Sequence, residues 1–380
     1  MSNLRKISNI VVVFLAATIS LTAQEKDKTL IDFFLPMSPQ GKLVSEGIWG
    51  VPNVLPRDIK NGLEDSTMKK SCYWDGKIVR SDDGKYHMYA SRWDQSFSHS
   101  DGWHLGSKGV HAVSDNIMGP YIDKGLLWPQ WKEGMGHNVI GLRMHDGRYA
   151  TITSEITDGE VFVSKNPEGP FELLGKIEVD PNGFDKGLAR YQNKTKPSYG
   201  QMSNVGILLR PDGRYMLVGR STAPMISDNG ILGPYKIMGD RVYKNYPELP
   251  QDKNEDPTLW YSGGLYHIVY NNWPSKTSHH FTSDDGLHNW TYRGIAFNKE
   301  AMVFKYTDGT VNNWEYIERP TAYVENGHVT HFMFSVIDVG KGQDKSNDNH
   351  GSKIIVVPFD GNAFDEHMQK IIKAEKKVKK

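Results

Sequence analysis

Five short polar clusters, far apart in the chain, carry the residue types that acid–base chemistry on a small molecule needs. They are Trp74-Asp75, His137-Asn138, Ser203-Asn204, Glu255-Asp256-Pro257 and Glu318-Arg319-Pro320, each standing just before an apolar segment. A second set closes apolar segments: Arg92-Trp93, Ser154-Glu155, Arg220-Ser221, Asn271-Asn272-Trp273 and Ser335. A histidine exchanges a proton near neutral pH. Carboxyl groups act as acid or base according to their surroundings. Arginines present a planar fork suited to a carboxylate or sulfate. His137, Asp75, Glu255 and Asp256 are therefore the candidate catalytic residues. Arg92, Trp93, Asn138, Asn204, Arg220, Asn272, Arg319 and His111 are the candidate substrate contacts. For any single residue the competing role is satisfying buried backbone. It is the set that argues for a site.

These clusters need elements that bring them together, and the chain supplies five. A strand, a tight turn and an aromatic strand recur as Ile78–Tyr89, Arg143–Ala150, Arg210–Met216, Tyr261–Ile268 and, more weakly, Val324–Val329. Turns such as Asp83-Gly84, Asp146-Gly147 and Asn326-Gly327 supply the positive φ of a two-residue hairpin. The aromatic position steps through Tyr86, Tyr149, Tyr215 and Tyr266, and Val329 takes its place in the fifth copy. A second half-motif alternates with the first. It reads Ser114-Asp115-Asn116 to Gly119-Pro120-Tyr121, Ser164-Lys165-Asn166 to Gly169-Pro170-Phe171, and Ser227-Asp228-Asn229 to Gly233-Pro234-Tyr235, with Ser283–Trp290 as the fourth. Two hairpins per repeat make a four-stranded sheet, and radial repetition of such sheets is a propeller. The expected fold is all-β, a single five-bladed β-propeller over residues 72–361. Each innermost strand starts at the mouth of the central channel, so the five clusters converge there.

The remaining segments bound the setting. Residues 1–23 read as a signal peptide, with Arg5 and Lys6 ahead of a short apolar run from Ile10 to Ala17. That run is too short for a membrane span. An exported chain is expected, in the periplasm or secreted. Residues 24–71 lack the repeat and are expected to wrap the barrel or add a closing strand. Cys72 is the only cysteine, so no internal disulfide forms. Without Arg5 and Lys6 the chain carries 43 basic and 45 acidic residues, a balance that offers no field for nucleic acid or membrane. The tail, residues 362–380, is basic, with six lysines after Glu366, and reads as a solvated helix. His279-His280 and the Asp344–Asn349 stretch read as surface loops, and His87 and His267 as packing residues. No organic cofactor is expected. A structural divalent cation would need ligands from several blades.

The stretches Asp83–Trp93, His111–Asn116, Gly136-His137-Asn138 and Glu255-Asp256-Pro257 resemble the five-bladed propellers of glycoside hydrolase families 43 and 117. That resemblance implies action on carbohydrate by carboxylates at the funnel. Asp75 matches the first such position, and Glu255 or Asp256 a later one. Blades two and three depart from it, offering His137-Asn138 and Ser203-Asn204 where a further acid is expected. Histidine with arginines suits β-elimination on a uronic acid instead. The overall pattern is also similar to the oligosaccharide dehydratases that act on ulvan. The expectation is therefore a carbon–oxygen lyase that removes water from the terminal uronate of an anionic oligosaccharide. An exo-acting glycosidase is the alternative, and a sugar-binding scaffold the third reading.

Overall fold

The computed structural model describes residues 28–41, 58–67, 69–180, 203–220, 223–299, 303–346 and 350–378. Residues 1–23, read above as a signal peptide, residues 24–27 and 42–57 of the segment ahead of the propeller, and Ser221, Asn347, Asp348 and Asn349 lie outside the described residues. Among the described residues no helix is long and apolar enough to cross a membrane.

The first blade is β1 (Ser71–Arg80), β2 (Tyr86–Asp94), β3 (Lys108–Ser114) and β4 (Ile122–Leu126), paired in that order. The second is β5 (His137–Arg143), β6 (Tyr149–Ser154), β7 (Glu160–Ser164) and β8 (Glu172–Lys176). A two-residue strand, β9 (Val179–Asp180), leaves it to join the third blade in parallel with β13. That blade is β10 (Gly206–Leu209), β11 (Tyr215–Val218), β12 (Met225–Ser227) and β13 (Tyr235–Ile237). The fourth is β14 (Asn254–Ser262), β15 (Leu265–Asn272), β16 (Thr277–Ser283) and β17 (Thr291–Asn298). The fifth is β18 (Tyr316–Glu325), β19 (His328–Ile337) and β20 (Ser352–Pro358). Strands β1, β5, β10, β14 and β18 pack against one another in sequence, and β18 returns to β1. The chain is thus a five-bladed propeller, as the repeats require.

The hairpin turns lie where the repeats put them, with Tyr86, Tyr149 and Tyr215 opening the second strands of their blades. In the Gly-Pro-aromatic motifs all three peptide bonds are cis, and Tyr121, Phe171 and Tyr235 are buried. Burial follows distance from the axis. Each blade is sandwiched between two others, so every residue of β15 is buried and strand alternation disappears there. The outer strand β8 is mostly exposed.

The fifth blade has three strands of its own, and the segment before β1 completes it. Leu63 exchanges both backbone hydrogen bonds with Ile354, each at 3.0 Å. The Asn61 side chain bonds both backbone groups of Val356, at 2.7 and 2.8 Å. Between them Gly62, at φ 68°, leaves room where a Cβ would fall 1.8 Å from the Ile354 carbonyl oxygen. Gly62 also bonds the backbone of Met118 and Tyr121, which ties blade five to blade one.

Helix α1 (Gly361–Val378) ends the described chain. Rather than standing wholly in solvent, it buries Phe364, Met368 and Ile372, one every four residues, against the fifth blade. Phe364 meets Phe33 and Phe359 edge to face, with centroids 5.3 Å away in both cases. Phe364→Ala is expected to destabilise the fold by about 3–5 kcal/mol, read as a lowered midpoint in urea unfolding.

Candidate active site

The five inner strands share one local device. Asp75, Asn138, Asn204, Asp256 and Arg319 all adopt left-handed φ, between 49° and 69°. In blades one, two, four and five the register breaks there into a bulge. A bulge re-aims side chains, and Asn and Asp tolerate the left-handed region better than most residues. Here it turns one side chain per blade toward the others, and the five form a hydrogen-bonded ring.

Around that ring, Asn138 Nδ2 donates to Asn204 Oδ1 at 3.1 Å, and Asn204 donates to Asp256. Arg319 reaches Asp256 at 3.2 Å through Nη1 and Asp75 Oδ1 at 2.7 Å through Nε. Asp75 Oδ2 accepts from Ser91 and from the Val139 backbone at 3.2 Å, which returns to blade two. Both Asp75 oxygens are occupied by protein donors, and the residue is 1% exposed. Burial works against the charge of Asp256, yet Arg319 and Asn204 outweigh it and hold its carboxyl below the ordinary value.

Above the ring lies a cavity of about 210 Å³. The residues just before the ring positions supply its walls: Trp74, His137, Glu255 and Glu318. From second-strand ends come Glu155 and Arg220, and from longer loops His99, Trp103 and Lys341. Arg220 bridges Glu255 at 3.0 Å and Glu155 at 3.4 Å. Lys341 Nζ donates to Glu318 at 2.5 Å and stands 5.1 Å over the Trp74 ring. A second cavity of about 220 Å³ lies at the far end of β16 and β17, beside α1 and away from the convergent strand starts.

His137 is held by its second-strand neighbour and by a loop. Its backbone N–H donates to Thr153 Oγ1 at 2.9 Å, and Nδ1 lies 3.0 Å from Ser107 Oγ. No hydrogen bond engages Nε2 among the described residues. Burial lowers the pKa of His137, and Asp75 and Glu155 offset this only in part, so the ring is neutral at neutral pH. Glu255 shifts the other way. Burial and the adjacent Asp256 push its pKa up to about 8 against the pull of Arg220, so it carries a proton there. Burial likewise raises Glu318. The cavity therefore offers a neutral imidazole and a protonated carboxylic acid, the two forms that proton abstraction and leaving-group protonation need.

Of the candidates from sequence, His137, Asn138, Asn204, Arg220, Glu255, Asp256 and Arg319 line this cavity. Asp75 sits in the ring that supports Arg319. Four others do not reach it. Arg92 projects toward the outer strand and pairs with Asp123 at 2.6 Å. Trp93 is 1% exposed and forms the wall behind His99 and His137, with ring centroids 5.3 and 6.0 Å away. His111 stands in the middle of β3, 2.8 Å from His87, and burial pushes it down to about 3. Asn272 braces the rim, donating to the Asp252 carbonyl at 3.0 Å and to Asn254 Oδ1 at 3.1 Å. His280 is also not on a surface loop: it is buried beside His267, 3.0 Å away.

Glu155 and Glu318 stand at strand ends and starts already marked as polar, and their charge was the available signal. Lys341, His99 and Trp103 lie in loops that carry no repeat, so spacing does not single them out. Glu255, Asp256 and Glu318 are the one trio among the described residues whose ligand atoms lie within 4.8 Å of one another, as a bound cation requires. The Lys341 ammonium already stands at Glu318 and supplies a positive charge there.

No protein-family model matches this chain, and no curated protein matches it. Solved structures do. One described as a glycoside hydrolase gives a TM-score of 0.50 at 14% identity, covering 80% of this chain and 63% of that one. A GH43 β-1,3-galactosidase with galactodeoxynojirimycin gives 0.49 at 17% identity, over 75% of this chain and 90% of that one. RS223-β-xylosidase gives 0.48 at 16% identity, over 75% and 92%. At such identities the likeness is one of fold.

Proposed function

We propose that this chain is a carbohydrate-active hydro-lyase that removes water from the non-reducing-end uronate of an oligosaccharide, with ulvan oligosaccharides as the substrate class. The observation that carries the reading is that His137, its Nδ1 turned to Ser107, and Glu255 line one cavity together with the cations Arg220 and Lys341. Trp74 and Trp103 line the cavity, and aromatic rings there suit a saccharide; the fold is shared with a glycoside hydrolase. Export through residues 1–23 belongs to the same reading.

The substrate carboxylate needs a cation that is not locked away. The Arg319 side chain is 6% exposed, whereas Arg220 and Lys341 are 19% and 31% exposed. Arg220 and Lys341 are therefore its receptors. Neutralising the carboxylate acidifies the C5 proton, and His137 Nε2 accepts that proton as the C5–H bond breaks. Its electron pair forms the C4=C5 bond while the C4–O bond breaks. Glu255 gives its proton to the departing hydroxyl, which leaves as water. Proton and oxygen balance without a cofactor.

Hydrolysis is the second reading, favoured by one observation: Glu155, Asp256 and Glu318 line the same cavity as Glu255, which makes four carboxyl groups there. Asp75, with both oxygens bonded to protein donors, does not serve as its base. Digestion of ulvan oligosaccharides followed by ultraviolet absorbance separates the two. Elimination builds a conjugated unsaturated uronate and absorbance rises. Free sugars appearing with no absorbance gain would overturn the proposal.

A further inference from the structure

The segment Gln95–Ser107, between β2 and β3, carries groups that the reaction above does not use. One helical turn at His99–Asp101 runs into a wider π turn at Gly102–Gly106. Ser98 starts it, its Oγ accepting from the Asp101 backbone at 3.2 Å. The segment is seated directly on Trp93. A Cβ at Gly102 would fall 2.1 Å from Trp93 Cδ1, so only glycine lets the turn descend this far.

That seating drives His99 into the cavity wall. Its ring stands edge-on to Trp74 at 4.9 Å and to Trp93 at 5.3 Å, and the residue is 1% exposed. Among the described residues its buried Nδ1 has no hydrogen-bond partner. A buried polar group left unpaired costs about 1–3 kcal/mol, so such groups are rare unless something else pairs them. His99 lines the cavity, where a bound molecule is the available partner. Trp103, from the same segment, faces the same space, with its ring 5.4 Å from that of His137.

We propose that His99 is a substrate-binding residue whose imidazole hydrogen-bonds a hydroxyl of the sugar ring held against Trp103, which makes the Gln95–Ser107 segment a specificity element. The inference rests on the carbohydrate reading above but not on elimination. Burial, with Lys341 and His137 nearby, keeps the His99 ring neutral. A neutral imidazole has one donor and one acceptor nitrogen. It therefore matches a hydroxyl, which both gives and takes a hydrogen bond, better than a carboxylate, which only accepts. Charge recognition falls to Arg220 and Lys341, and hydroxyl recognition to His99.

The test is a titration of intrinsic tryptophan fluorescence with ulvan oligosaccharides and, separately, with xylotriose, on the full chain. His99→Phe keeps a ring and removes both nitrogens. It should weaken binding roughly tenfold while leaving the melting temperature unchanged or raised, because an unpaired buried polar group is gone. His99→Gln, which keeps a donor and an acceptor, should recover part of the affinity. Unchanged affinity in His99→Phe with a lowered melting temperature would make His99 a packing residue and overturn the inference. If xylotriose binds and ulvan oligosaccharides do not, the uronate reading fails, and the His99 comparison is decided on xylotriose. If the wild-type chain binds neither, the carbohydrate reading and this inference fall together.

Discussion

Glu255→Gln is expected to lower turnover by ~10²–10⁴-fold, the range that a positioned general acid contributes. The amide keeps the shape and the contact with Arg220 but has no proton to give. His137→Gln is expected to fall by a similar factor, since the amide cannot accept the C5 proton at working pH. The pH profile distinguishes the two roles. His137 acts only when neutral, so kcat/KM falls as the medium is acidified through its lowered pKa, below the ordinary 6.5. Glu255 acts only when protonated, so kcat/KM falls as the medium is made alkaline through about 8. The wild-type profile is a bell between these limits. The residual rate of Glu255→Gln should lose the alkaline limb and keep the acid one. His137→Gln should do the reverse. A profile unchanged in both variants would remove the two residues from proton transfer.

The second large effect concerns stability. Arg319→Met should destabilise the fold by about 3–5 kcal/mol, the cost of breaking a buried ion pair from one side. The guanidinium is the only group in the ring that contacts both Asp75 and Asp256, and both carboxylates are nearly inaccessible to water. Without it two buried carboxyl groups lose their countercharge. Protonation of Asp256, which Arg319 holds charged in the wild type, then becomes the cheapest relief, so the variant should regain stability as the pH is lowered into the acid range. The wild type should behave oppositely in this part of the site. Asp256 has a depressed pKa, so its contribution is present above the unfolded value near 3.8 and is lost as pH falls through the folded one. Urea midpoints measured across the acid range would show the two slopes with opposite sign. Parallel slopes would mean that the ring carries no such charge coupling.

The period of the repeats makes the fold and the five convergent strand starts legible in the sequence. It also explains which site residues were found. His137 and Glu255 stand at one equivalent place in their blades and Asp256 and Arg319 at the next, so one pattern finds all of them. The second-strand ends were harder, because a strand turns alternate residues to opposite faces and the period does not say where the strand stops. Arg220 stands two residues past the end of β11, at the cavity. Strand β2 instead runs on to Asp94, which turns Arg92 toward Asp123. His111 falls at mid-strand for the same reason, and its partner is His87. Lys341, His99 and Trp103 come from loops of unequal length, where neither period nor turn chemistry applies. The occupied oxygens of Asp75 were also illegible, because they depend on Arg319 from the far end of the chain.

That last contact bears on the reaction itself. Asp75 is the carboxylate that the sequence resemblance sets at the first catalytic position, and here both its oxygens are bonded to protein donors in the ring. The cavity above holds an imidazole, two carboxyl groups that burial raises, Glu255 and Glu318, the further carboxyl of Glu155, and the partly exposed cations Arg220 and Lys341. The most direct test is mass spectrometry of ulvan oligosaccharides before and after incubation with the protein. Elimination at the chain end predicts that the oligosaccharide loses the mass of one water with its chain length unchanged. Products that together gain the mass of one water, with a sugar released, would contradict it and assign the cavity to hydrolysis.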